Sequence, residues 1–251
     1  MKKILITSIG RTGTTSISSF LNKIPGVICE HQKIGRRDIP YLFYSQLQDF
    51  TKLAKGYFEK RDKEISNLDC DFYIEVNPYL RFADASVLKS LGWDKFFLVR
   101  NPKTYLESVF VRDTFSENEY LLSQIPKDSD SFSDKWYQTT RFEKLCWYYS
   151  NFHEYVLNSD QLYYRFEDFI KNPDSLKGFL NDMGIDTSAI DTFVMPKQNT
   201  SFDYKLRSRV KSIIRKNENY TVSSLDWSSL SELENETYQT LCESLGNKMG
   251  Y

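Results

Sequence analysis

The chain is poor in the residues on which metal and disulfide chemistry depend. Its 251 residues include four cysteines and two histidines. Cys29, Cys70, Cys146 and Cys242 stand far apart, with no Cys-x-x-Cys pair and no Cys/His cluster. That spacing supplies neither a zinc site nor a disulfide framework, and it predicts reduced, mostly buried thiols and no bound metal. Charge of one sign is also missing: 33 Lys and Arg stand against 34 Asp and Glu, a formal net charge of −1. Nothing here suggests a binder of nucleic acid or of anionic membranes, and any basic region has to be local. No stretch approaches the ~20 apolar residues of a membrane span, so no stable membrane insertion is expected. Met1-Lys2-Lys3 before Ile4-Leu5-Ile6 imitates the start of a signal peptide, but the apolar run stops short and Gly10-Arg11 interrupts it. Repeats and flexible interdomain linkers are absent, and the length suits one domain over residues 1–251.

Aromatics, by contrast, are plentiful, with 17 Tyr and 18 Phe. They make a large core easy to build and apolar clefts for a ring-bearing or sugar acceptor plausible. The most informative stretch is residues 5–21, Leu-Ile-Thr-Ser-Ile-Gly-Arg-Thr-Gly-Thr-Thr-Ser-Ile-Ser-Ser-Phe-Leu. An apolar strand leads into a glycine loop with one arginine and a cluster of hydroxyls, then into an amphipathic helix. Gly10 and Gly13 allow a tight turn and a close backbone approach. The first amides of the helix lack intrahelical partners and can face an anion. Arg11 adds a permanent charge with fork geometry suited to phosphate or sulfate. The loop is not a Walker A, which needs Gly, four residues, then Gly-Lys-Ser/Thr. Ser8 stands at the first glycine and Thr14 at the lysine. A plainer reading is an ordinary βα turn in which Thr14 and Thr15 cap the helix.

A second segment has the same logic. In residues 95–112, Phe96 to Val99 form a buried strand, Arg100 sits at its carboxyl end, and Asn101-Pro102 turns into a helix. Ser108 follows eight residues after Arg100, about two turns into that helix. Ligands of open α/β sheets bind at the carboxyl ends of strands.

Coarse periodicity completes the outline. Strands are expected at Lys3–Ser8, Val27–Cys29, Phe72–Val76, Phe96–Val99 and Leu162–Arg165. Helices are expected at Thr14–Ile24, within Tyr41–Ile65, and at Arg81–Leu91, Trp136–Leu157, Pro173–Met183 and Leu230–Leu245. In the first of these, Ile17, Phe20, Leu21 and Ile24 have the i, i+3, i+4, i+7 spacing of a core-facing stripe. Gly35–Pro40 reads as a loop, Ser116–Asp134 as a polar excursion, and Asp186–Trp227 as mostly irregular with a helix near Lys205–Ile214. Alternation of strands and helices predicts an α/β fold, a mainly parallel central sheet with helices on both faces.

Together the two motifs resemble the sulfotransferase superfamily that uses 3′-phosphoadenosine 5′-phosphosulfate (PAPS), whose fold is P-loop NTPase-like. The resemblance covers most of the chain. It implies a single sulfotransferase domain over residues 1–251. Arg11, Thr12, Gly13, Thr14, Thr15 and Ser16 would hold the 5′-phosphosulfate, and Arg100 and Ser108 the 3′-phosphate. Leu162 to Pro173 resembles a late family strand followed by Tyr-Glu-Asp-Leu; Phe166 replaces the tyrosine and would lie near the adenine. Tyr238 to Tyr251 resembles the terminal helix and Gly-Tyr finish of bacterial members. A loop after Met195, with Arg207, Arg209 and Lys211, would cover the cofactor. Golgi members of the family carry a membrane anchor, so this chain reads as cytoplasmic. Asn199, Asn219 and Asn235 fit the glycosylation pattern, which in a cytosolic chain is a chance match.

The implied reaction moves a sulfuryl group from PAPS to an acceptor hydroxyl or amine and leaves adenosine 3′,5′-bisphosphate (PAP), with no metal. Arg11 would stabilise the leaving phosphate and, being unable to deprotonate, would transfer no proton. His31 or Glu30, beyond the second strand, would serve as base: the imidazole needs little pKa adjustment, whereas the carboxyl needs burial. Glu75 is a third candidate, set against a salt-bridging role, and His153 reads as structural. Lys33, Arg36 and Arg37 form a small basic cluster that is either an acceptor contact or a solvated loop. The acceptor is a small molecule, a glycan or a lipid. Two rivals stay open. A P-loop small-molecule kinase would need a loop lysine and a metal-holding Asp. A non-catalytic nucleotide-binding protein would need only the pocket.

Overall fold

A computed structural model describes residues 1–33, 38, 52–112, 114–116, 125–188, 190–197 and 224–251. In chain order the elements are β1 (Lys2–Ser8), α1 (Thr14–Leu21), β2 (Val27–His31), α2 (Ala54–Ile65), β3 (Phe72–Val76), α3 (Ala85–Ser90), β4 (Trp93–Val99), α4 (Pro102–Phe110), α5 (Arg141–Leu157), β5 (Tyr163–Arg165), α6 (Phe166–Lys171), α7 (Pro173–Asp182), α8 (Glu232–Tyr238), one π-helical turn (Gln239–Glu243) and α9 (Ser244–Lys248). They form two compact units, Met1–Arg100 with Ser159–Gln198, and Asn101–Asn158 with Asn199–Tyr251.

The first unit is built on a five-stranded sheet of order β2-β3-β1-β4-β5, every neighbouring pair parallel. Its three inner strands, β3, β1 and β4, are largely buried on both faces, as a parallel sheet covered on two sides requires. Alternate residues divide between two cores. Ile4, Ile6, Cys29, Ile74, Val76, Phe96 and Leu98 pack with Ile17, Phe20 and Leu21 of α1 and with Leu176, Phe179 and Leu180 of α7. Leu5, Tyr73 and Trp93 point the other way, to Tyr57, Phe58 and Ile65 of α2 and Leu88 of α3. Full burial of each large apolar side chain is worth roughly 1.5–3 kcal/mol. The expected α/β architecture, a parallel sheet with helices on both faces, is therefore the one present. Asn22 then fixes β2 against the end of α1: its side chain donates to the Cys29 carbonyl (2.6 Å) and accepts from the Cys29 amide (2.8 Å).

In the second unit, α4 starts on Asn101, whose side-chain oxygen accepts from the Thr104 amide. Helix α5 starts on a reciprocal capping box between Thr140 and Glu143, and α8 on another between Ser231 and Glu234. Thr140 also donates to Glu234 Oε1 (2.9 Å), joining α5 to α8. Trp136 and Trp147 stack edge to face over Phe132.

Differences from the sequence outline lie at element ends. Strand β2 runs on to His31, so Glu30 and His31 lie within it rather than beyond it, because its pairing with β3 continues through Glu75 and Val76. Strand β4 begins three residues earlier than expected, at Trp93. Helix α1 stops at Leu21, although Ile24 remains buried at 8% exposure. Helix α3 begins at Ala85 because Asp84 accepts from the Ser86 and Val87 amides. The helix expected from Trp136 begins five residues later, at its capping box. The terminal helix begins at Glu232 and is interrupted by the π turn. The Gly35–Pro40 loop, Arg36, Arg37, the start of the Tyr41–Ile65 stretch, much of Ser116–Asp134, the Lys205–Ile214 helix and Arg207, Arg209 and Lys211 lie outside the described residues, Asp38 and 52–65 apart. Among the described residues no helix is long and apolar enough to cross a membrane.

Candidate active site

The loop between β1 and α1 has three residues in the left-handed region: Gly10 (φ 88°), Arg11 (φ 55°) and Gly13 (φ 69°). Glycine adopts that conformation freely, whereas for arginine it costs on the order of 1–2 kcal/mol. Local contacts sustain it. Ser8, at the end of β1, accepts from the Gly10 amide at 3.0 Å. Arg100, just past β4, donates from its guanidinium to the Arg11 carbonyl. The side chain expected at the 3′-phosphate thus also supports the backbone of the loop expected at the 5′-phosphate.

Helix α1 has Gly13 at its N-cap and no side-chain cap. Thr14 and Thr15 do not cap it, so the plain capping reading of these two residues fails. The reason is geometric: the chain enters the helix through a left-handed glycine one residue too early for either hydroxyl. The Thr14 hydroxyl instead lies 3.1 Å from Nε2 of His31. Thr12 is fully buried, and its hydroxyl has no hydrogen-bond partner among the described residues. A buried hydroxyl left unpaired costs ~1–3 kcal/mol, and a bound anion or its water would relieve that cost. Ser16 is buried at 5% exposure, and Thr15 is half-buried.

Phe166 opens α6 with its ring laid against Gly13. A Cβ added at Gly13 would come within 1.8 Å of that ring, so only glycine fits there. The Arg100 guanidinium stands over the same ring, 5.8 Å from its centre, and 3.9 Å from the Glu167 carboxylate. The first unit therefore gathers Arg11, Thr12, Gly13, Thr14, His31, Arg100 and Phe166 around one loop. Ser108 lies on α4 and is 5% exposed.

The two candidate bases are separated by strand alternation. His31 shares its face of β2 with Cys29, whose thiol lies 3.4 Å from the Ser18 hydroxyl of α1. It is the last residue of β2 and meets the loop through Thr14. Burial lowers its pKa, which keeps the ring neutral at pH 7. Glu30 points to the opposite face. It accepts from the Tyr73 hydroxyl and pairs with Lys33 at 2.5 Å. Lys33 itself is exposed and makes this ion pair at the surface. Glu75 is fully buried and salt-bridged to Arg61 at 3.1 Å, the role weighed against catalysis in the sequence. His153 stacks on Tyr149 inside α5 and donates from Nδ1 to its carbonyl at 2.7 Å, and burial lowers its pKa to about 3.

Two contributors escaped sequence reasoning. Ser8 was visible only as the residue replacing a Walker glycine, and its hydroxyl turns out to hold the loop. Glu167 sits beside Phe166 in the late motif, yet its contact with Arg100 needs β4 and β5 to pair, which no local pattern reveals.

No family model matches the chain, and no curated protein matches it. Solved structures to which it is similar include mouse sulfotransferase SULT7A1 complexed with PAP, at 16% identity and a TM-score of 0.45, covering 96% of this chain and 82% of that one. The sulfotransferase domain from the curacin biosynthetic pathway is similar at 11% identity and a TM-score of 0.42, covering 96% and 97%. Shikimate kinase from Bacteroides thetaiotaomicron is similar at 17% identity and a TM-score of 0.37, covering 73% and 99%.

Proposed function

We propose that the chain is a PAPS-dependent sulfotransferase that sulfates a hydroxyl or amine. The observation that carries this reading is the contact of His31 with Thr14 beside Arg11, at a helix start that no side chain caps. That contact supports a reading in which a proton acceptor, a cation and the first amides of α1 act together at one loop.

When bound, the donor supplies an activated sulfuryl group and a phosphate that leaves with increased charge. The chain's own residues do the rest. The amides opening α1, with Thr12, Thr14, Thr15 and Ser16, bind the 5′ anion, and the orphaned Thr12 hydroxyl gains a partner. Arg11 stabilises the charge that grows on the leaving oxygen. A ring nitrogen of His31 takes the proton from the acceptor as the new S–O or S–N bond forms; Glu30, facing away, is the lesser candidate. Arg100 and Ser108 bind the 3′-phosphate, and Phe166 stacks on the base. The same reading takes residues 1–251 as one transferase domain acting without a metal in the cytoplasm. Its acceptor is a small molecule, glycan or lipid.

Thermal denaturation with PAP, Mg-ADP and AMP in parallel tests it. At a hundredfold excess over its Kd, a ligand adds ~2.7 kcal/mol, or roughly 5–10 °C for a domain of this size. A rise with PAP alone is expected. A rise with Mg-ADP instead would overturn the reading in favour of a kinase.

A further inference from the structure

We infer that Glu75, Arg61 and Tyr57 are positioning residues, a buried clamp that holds the turn leaving β2 and with it the ring of His31 against Thr14. The inference rests on the sulfotransferase reading only in giving His31 a catalytic part.

The turn needs holding. Directly after His31, Gln32 adopts a left-handed φ of 50°. Such a conformation in a non-glycine residue costs about 1–3 kcal/mol and persists only where its surroundings over-determine it. On one side, the Gln32 amide donates to the Val76 carbonyl at 3.0 Å, extending the β2–β3 ladder by one bond. On the other, the Lys33 carbonyl accepts from Arg61 Nη2 at 3.1 Å and lies 3.2 Å from the Tyr57 hydroxyl.

Both side chains are themselves fixed from the sheet. Arg61 Nε donates to Glu75 Oε2 at 3.1 Å, and Arg61 Nη2 donates to the Tyr57 hydroxyl at 2.7 Å. That hydroxyl donates to Glu75 Oε1, which also accepts from Asn77 at 2.9 Å. Exposure is 2% for Arg61, 1% for Tyr57 and 0% for Glu75. None of the three can swing away without leaving a buried charge or hydroxyl unpaired, so the fork of Arg61 is a rigid strut. Glu75 stands beside Glu30 in the ladder register, on the face opposite His31. It therefore has no route to an acceptor bound beside the loop. Its action on the reaction is indirect, through the Lys33 carbonyl and the strained turn.

The test uses the two histidines as reporters, since imidazole ¹H–¹⁵N spectra of the full chain contain only His31 and the buried His153. Tyr57→Phe removes the hydroxyl while keeping the ring. Arg61→Lys keeps the charge opposite Glu75 and removes the fork. Leu88→Ala loosens the same core from α3, a helix that carries no clamp residue. Glu30 and Lys33, the charged groups next to the turn, are present in all three. In the wild type, His31 titrates below the ordinary 6.5. Both clamp variants are expected to raise its pKa toward 6.5 and to broaden or split its ring signals, while Leu88→Ala leaves them in place at an equal loss of Tm. An unmoved His31 in Tyr57→Phe, or an equal shift in Leu88→Ala, would overturn the inference. Full turnover in His31→Ala would sink the base assignment alone and leave the clamp standing.

Discussion

Helices α1 and α5 begin in opposite ways. At α5, Thr140 accepts from the Glu143 amide and Glu143 accepts from the Thr140 amide, so two orphan donors are satisfied within the chain. At α1, three hydroxyl residues crowd the first turn, yet the cap is a left-handed glycine and no side chain closes it. The capped start has half of its four orphan donors closed by its own side chains. The uncapped one forgoes a few tenths of a kcal/mol of cap stability, since its cap is glycine, adds the strain of Arg11, and has no side chain of its own on its first amides. Two helix starts in one chain thus differ as a closed end differs from the end to which the proposed function assigns the donor.

Four substitutions probe that contrast, in descending order of effect. Arg11→Ala should lower turnover by about 10²–10³-fold while PAP affinity changes far less, because its partner charge grows in the transition state. A loss confined to affinity would place Arg11 in ground-state binding. Arg100→Ala should weaken PAP by the 1.5–3 kcal/mol typical of a charged hydrogen bond, roughly 10–150-fold, and AMP by much less. Equal losses in calorimetric titrations would mean that Arg100 acts only by supporting the Arg11 carbonyl. Gly13→Ala adds a left-handed penalty of about 1–2 kcal/mol and drives a methyl into Phe166, so Tm and PAP binding should fall together. Adding Phe166→Ala should restore part of the stability but not the binding. Thr140→Ala should cost about 1 kcal/mol, or roughly 2–4 °C, with PAP affinity unchanged. Any change in affinity there would blur the distinction between the two helix starts.

Much of this was legible in the sequence because it is local. The strand–loop–helix order of residues 5–21 fixed where an anion could sit, and the stripe Ile17, Phe20, Leu21, Ile24 is buried as its spacing requires. Helix ends were read less well, because apolar periodicity runs past a cap: Asp84 and the Thr140–Glu143 pair were signals present in the chain and overrun by the pattern. The facing of His31 and Glu30 had no local signal at all. Val27, Ile28 and Cys29 are all apolar, so the strand looks alike on both sides until β3 pairs with it. The Arg61 strut is less legible still, since Lys33 and Glu75 lie 28 and 14 residues away from it and meet only in the folded sheet.

Parity along β2 acts as an address. Odd positions deliver side chains to the glycine loop and even positions to the core under α2, and of the odd ones Val27 and Cys29 are buried against α1. Position 31 is then the single place on this strand from which chemistry can be presented to the loop. A new acid or base would be installed there by exchanging one side chain, or by deleting one residue upstream so that its neighbour inherits the address.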